Sequence, residues 1–183
     1  MKRKILIIAI AGIFTGMAAA QKYITREGVC DIFSETSFFT IEATNKKVAS
    51  ILDASSGEIV ASTLMRSFKY QEALVEEHFN ENYMESHLYP KGIFKGRITN
   101  FSEVDLTRDG TYPITIEGDL SFHGESNPLT SPGELVVNGE TIKGTTGFEV
   151  SLAAHKIKVE VKYKDRIRDE IKIDLHFDYK LMK

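Results

Sequence analysis

The sequence has one cysteine, four prolines and no tryptophan in 183 residues. A single thiol cannot close an internal disulfide, so stability has to come from packing, and thiolate metal clusters are excluded. Cys30 stands in the strand-like stretch Gly28 to Ser34, where it reads as a small buried hydrophobe, with a reactive or intermolecular thiol as the alternative. Catalytic signatures are missing as well. The five histidines (His78, His87, His123, His155 and His176) contain no His-Glu-x-x-His pair. There is no Gly-x-Ser-x-Gly elbow and no phosphate-cradling glycine loop before a helix. Asp105 to Gly110 lacks the rest of a calcium loop. Asn100-Phe101-Ser102 fits a glycosylation sequon but reads better as a turn. His78 and His87 lie near Glu77, Glu81 and Glu85, and a polar helix face explains them better than a metal site. No catalytic residue, cofactor or metal is assigned.

Long apolar runs are confined to the first twenty residues. Lys2, Arg3 and Lys4 precede an uncharged stretch from Ile5, and Ala18 and Ala20 supply the small residues of a cleavage site. The 16 residues from Ile5 to Ala20 are short for a membrane span of roughly 20 residues. Residues 1–20 are therefore expected to be a signal peptide, and 21–183 one exported domain that does not span a membrane. The periplasm is the expected destination, with full secretion as the alternative. Without Lys2, Arg3 and Lys4, 20 Lys and Arg face 26 Asp and Glu. That acidic balance, with no basic stripe, argues against nucleic acid and leaves attraction to anionic membranes weak.

What is present is period two. Tyr112, Ile114, Ile116, Leu120 and Phe122 share one face of a stretch whose other face carries Thr115, Glu117, Asp119 and Ser121. Ile142, Phe148, Val150 and Leu152 form a second apolar face, and Ile171, Ile173, Leu175, Phe177 and Tyr179 a third. Only strands place every second side chain together, so these are half-buried antiparallel strands. Shorter strands are predicted at Gly28–Ser34 with Phe38–Ala43 (one strand with a bend), Val48–Asp53, Glu58–Phe68, Ile93–Asn100 and Glu134–Val137. The dipeptide Asn138-Gly139 marks a hairpin. Gln71 to Ser86 is the exception. It has no glycine or proline, and Val75, Phe79 and Tyr83 recur on one face beside Leu74, which predicts a single short α-helix ended before Pro90.

About eight strands with no covered edges favour closure into an antiparallel barrel, the alternative being a two-sheet sandwich. The charge-free inward faces admit two readings, a packed core or the lining of a cavity. Periodicity alone leans towards a packed core. Gly96, Gly118 and Gly144 on those faces would suit a cavity.

Several segments carry a family likeness. His78-Phe79-Asn80-Glu81-Asn82-Tyr83-Met84, then Tyr89-Pro90-Lys91 and Phe94-Lys95-Gly96, and Ile116-Glu117-Gly118-Asp119-Leu120-Ser121-Phe122-His123-Gly124 resemble the YceI-like family in order and spacing. The likeness runs from Val48 to Leu181. The chain departs from the family at its first strand, which lacks Asp-x-x-His-Ser, and at Glu125-Ser126-Asn127-Pro128, where Val-Thr-Lys is usual. The resemblance implies an all-β, eight-stranded, lipocalin-like barrel with a helical segment at one end. It also implies an exported protein, not an enzyme, holding a polyisoprenoid or other amphiphilic lipid as carrier or buffer.

On that reading Phe79, Tyr83, Tyr89 and Phe94 shape one end of a tunnel. Ile114, Ile116, Leu120, Phe122, Ile142, Phe148, Val150, Ile173, Leu175 and Phe177 line its wall. A homodimer is left open. The rivals are a packed-core interaction or structural protein without ligand, and an enzyme on a lipid-like substrate using His78, His87 or His123.

Overall fold

The computed structural model describes residues 21–36, 39–163 and 165–182. The expected signal peptide, residues 1–20, lies outside the described residues. Eight long strands follow one another as neighbours: β1 (Lys22–Glu35), β2 (Thr40–Asp53), β3 (Glu58–Leu64), β5 (Lys91–Ile98), β6 (Gly110–Phe122), β7 (Glu125–Asn138), β8 (Thr141–Ser151) and β9 (Glu170–Leu181). The two-residue β4 (Lys69–Tyr70) only adds to β2. All pairings are antiparallel, and β1 pairs with both β2 and β9, which closes the sheet into a barrel. Closure pairs both edges of a sheet whose inner face is apolar.

The first two strands correct the sequence reading. What looked like one bent strand plus a separate Val48–Asp53 strand is a pair, β1 and β2, running from Lys22↔Asp53 to Glu35↔Thr40. Their inward positions carry Thr25, Gly28, Ser34, Asn45 and Ser50, which hide the period-two signal although all five are buried. Register shifts around Gly28 mark a β-bulge at the apparent break. There the Asn45 amide donates to Thr63 Oγ1 (2.6 Å) and the Leu64 carbonyl (3.1 Å), and its oxygen accepts from Lys47 N–H (2.9 Å). A Thr-Asn-Lys-Lys stretch that resembles a turn is thus held inside a strand.

Strand β7 is the second correction, since only Glu134–Val137 of it was expected. Pro128 and Pro132 argue against a central strand. Yet the stretch from Glu125 to Pro132 has β6 as its ladder partner, and β8 joins only from Gly133. One side of that stretch needs no N–H donors, so proline fits. His123 and Gly124 connect β6 to β7 with φ of 51° and 77°, the double positive φ of a type I′ hairpin turn. Gly139, also at positive φ, turns β7 into β8 as its Asn-Gly signal predicts.

Between β4 and β5 the chain is helical over α1 (Ala73–His78) and continues as a π-turn over Phe79–Tyr83. Met84 N–H reaches the Phe79 carbonyl at 2.8 Å, five residues back. Phe79 packs on Phe68 and Tyr70, with ring centroids 5.7 and 5.1 Å away. This sets the helix over the barrel end formed by the β1–β2, β6–β7 and β8–β9 connections. The opposite end is filled. Leu52, Leu135 and Ile142 are almost wholly buried there, and Ser50 Oγ and Tyr179 Oη share a buried 2.7 Å hydrogen bond.

Candidate functional site

The space under the helix is an apolar cavity of about 390 Å³. Its size lies in the range of small-molecule sites. Its roof comes from Val75, Phe79 and Tyr83, the helical face seen in the sequence. Its walls include Phe94 of β5, Leu120 and Phe122 of β6, Phe148 and Val150 of β8, and Ile173 and Leu175 of β9. A smaller chamber of about 70 Å³ lies deeper, lined among others by Ile114, Ile116 and Phe177. Of the fourteen residues anticipated for the tunnel, Tyr89 and Ile142 border neither space. Tyr89 turns its ring onto His123 (4.7 Å between centroids), and Ile142 is packed in the filled end. Phe94 also departs from its expected place at the tunnel end, because it borders both chambers.

The glycine hint needs correcting too. Gly96 and Gly118 face each other across β5 and β6, and neither borders a chamber. A Cβ on Gly96 would stand only 2.5 Å from Phe94 Cζ, and one on Gly118 2.3 Å from the Lys95 carbonyl oxygen. These glycines permit close approach of two strands and seat the Phe94 ring; they do not open space. Gly144 does border the inner chamber.

Other lining residues escaped sequence reasoning. Ile32, Ile41 and Val48 come from β1 and β2, whose pattern was obscured by small and polar inward residues. Met65 and Phe68 fall in the predicted Glu58–Phe68 strand, which ends at Leu64 and passes into a 3-10 turn, and Ile167 sits in the β8–β9 connection, where no periodicity exists to read.

Polar side chains gather at the mouth: Glu72, His78, Tyr163 and Arg166. The Arg166 guanidinium lies 5.1 Å over the Phe39 ring, a cation–π contact. Deeper down the groups are neutral and desolvated. Burial pushes the Cys30 thiol up to about 12, helped by Asp31 and Asp174, and raises the Tyr70 hydroxyl. Desolvation raises Tyr83 as well. An apolar chain entering here would displace no bound charge.

The helix is tied down at its far end. His123 Nε2 lies 3.1 Å from Glu85 Oε2, and His123 Nδ1 lies 2.8 Å from the His155 carbonyl oxygen. Both His123 and Glu85 hold positive φ, so the contact joins two constrained positions. The His155 ring stacks on Phe122 at 3.7 Å, and its Nε2 is buried with no hydrogen-bond partner among the described residues. The three histidines that could have served an enzyme therefore do not converge. His78 borders the cavity, His87 is exposed, and His123 fastens the helix end to the β8–β9 connection.

A profile of the YceI-like domain matches residues 24–179. The chain belongs to the YceI-like family. Solved structures agree on the fold. A polyisoprenoid binding domain from Saccharophagus degradans, implicated in plant cell wall breakdown, superposes with a TM-score of 0.77 at 9% identity, over 90% of this chain and 100% of that one. BcnA of Burkholderia cenocepacia gives 0.69 at 18% identity, covering 82% of this chain and 95% of its own. A YceI protein of Campylobacter jejuni gives 0.56 at 11%, covering 100% and 91%. No curated protein matches the sequence. At these identities the likeness is one of architecture, and it makes the lipocalin-like, eight-stranded barrel a family property of this YceI-like chain.

Proposed function

We propose that this YceI-like barrel is an exported binding protein that holds a polyisoprenoid-class or other amphiphilic lipid, as a carrier or buffer. The single observation that carries the reading is the 390 Å³ cavity, apolar in its depth and polar at its mouth. That gradient suits a molecule with a long hydrocarbon tail and a small polar head. The description of the Saccharophagus degradans domain as polyisoprenoid binding supports the same ligand class.

In this reading the tail lies against Phe79, Tyr83, Phe94, Leu120, Phe148 and Ile173, and the head stays near Arg166 and Tyr163. Each buried methylene contributes about 0.8 kcal/mol. Association costs about 4–15 kcal/mol, so a preformed cavity that needs little ordering is what makes tight binding reachable. The reading assigns no catalytic step. Residues 1–20 act as the export signal, and the mature barrel works in the periplasm.

The test is titration of lipid-free mature protein with farnesol and geranylgeraniol by isothermal calorimetry. Saturable one-to-one binding with a negative heat-capacity change supports the carrier. A folded barrel that ignores both prenols refutes it and leaves an interaction or structural protein without ligand.

A further inference from the structure

The apolar interior holds two chambers whose linings overlap. The outer chamber has about 390 Å³ and the inner about 70 Å³, and five side chains border both: Ala61, Phe94, Leu120, Phe148 and Leu175. They stand at one level of the barrel. Ala61 faces Phe94 across β3 and β5, and Phe94 faces Leu120 across β5 and β6. On the other side Phe148 of β8 pairs with Ile173, two residues from Leu175 on β9. The two rings are the bulkiest members of this partition. Phe94 is fixed, because its ring occupies the room a side chain at Gly96 would need. Phe148, partly buried like Phe94, packs against the core and borders both chambers.

We propose that Phe148, backed by Phe94, is a depth stop that sets the length of hydrocarbon the barrel seats. This rests on the reading of the cavity as a lipid site and adds the size class of the tail. A cavity of about 150 Å³ accepts benzene, or roughly 25 Å³ per carbon. On that scale the outer chamber seats about 15 carbons, three prenyl units, and a longer chain leaves its remaining units at the mouth. The inner chamber alone is too small for one more unit. Removing the Phe148 ring joins the two spaces and makes room for roughly one to two further units.

The test is calorimetric titration with prenols of increasing length, from two to five units, against wild type, Phe148→Ala, and the double variant Phe148→Ala/Ile116→Phe. Ile116 borders the inner chamber only, so the added ring refills it. Wild type is expected to tighten about tenfold or more from the second to the third unit and to gain little beyond it. Phe148→Ala keeps tightening through the fourth or fifth unit, and the double variant gives up part of that gain. A folded Phe148→Ala protein with an unchanged break overturns the stop, as does a wild-type affinity that climbs evenly through five units. The wild-type ladder decides even if Phe148→Ala does not fold, and Phe148→Leu offers a milder truncation. Failure of every prenol to bind wild type is a separate result: it removes the lipid site itself, and the stop with it.

Discussion

Ile173 projects from β9 into the outer chamber, beside its ladder partner Phe148 on β8. Replacing it with tryptophan places a large ring in the cavity. A benzene-sized body occupies about 150 Å³, roughly two fifths of the 390 Å³ available. A bound tail would lose contact for about six carbons. At about 0.8 kcal/mol each this is close to 5 kcal/mol, on the order of a thousandfold in Kd. The fold should not suffer, because filling a cavity commonly adds about 0.5–2 kcal/mol of stability. Calorimetry with geranylgeraniol and a thermal melt on the same sample separate the two effects. The expected pair is lost binding with an unchanged or higher Tm. Binding within threefold of wild type in a protein of unaltered Tm would refute the placement of the ligand.

Other parts of the structure make their own predictions. Tyr179→Phe leaves Ser50 buried without its partner and should cost about 1–3 kcal/mol in urea unfolding, while Ser50→Ala/Tyr179→Phe should cost less than the sum of the single changes. Because the Cys30 thiol is held near 12 when folded against an ordinary value of 9, the unfolded chain loses this proton first. Stability should therefore fall as pH rises above 9, a slope that denaturant titrations from pH 8 to 10.5 would show and that Cys30→Ala should flatten. For the same reason Cys30 in the native protein should resist iodoacetamide at pH 8 and react on unfolding. Glu85→Ala removes the carboxylate from His123 and should speed amide exchange across 73–89 while leaving β6 to β9 protected; unchanged exchange there would deny the contact its anchoring role.

The strands that carry the cavity wall were legible because they are amphipathic in a simple way. In β9 every second residue is apolar and its neighbours are charged or polar, and β6 and β8 follow the same alternation with interruptions at Pro113, Gly118, Gly144, Thr146 and Gly147. The helix was legible for the same reason at a different period, and its repeat of four is accommodated by the π-turn at Phe79–Tyr83. Strands β1 and β2 resisted because closure of a barrel buries small and polar residues at tight places. Gly28 lies under the Phe177 ring, and Asn45 satisfies its amide inside a bulge. Strand β7 resisted because its prolines sit where one neighbour is missing, a fact of pairing that no local pattern records. The cavity was legible as an apolar face but not as empty space, since periodicity tells which way a side chain points and not what it meets. Tyr89 and Ile142 show the difference: one points at His123, the other into a filled end.

The most direct test of the account is to purify the protein from its native host, extract it with organic solvent and identify the extract by mass spectrometry. The account predicts a stoichiometric prenyl-type or similarly amphiphilic lipid, lost from the Ile173→Trp protein. A clean barrel, free of lipid and indifferent to added prenols, would contradict it.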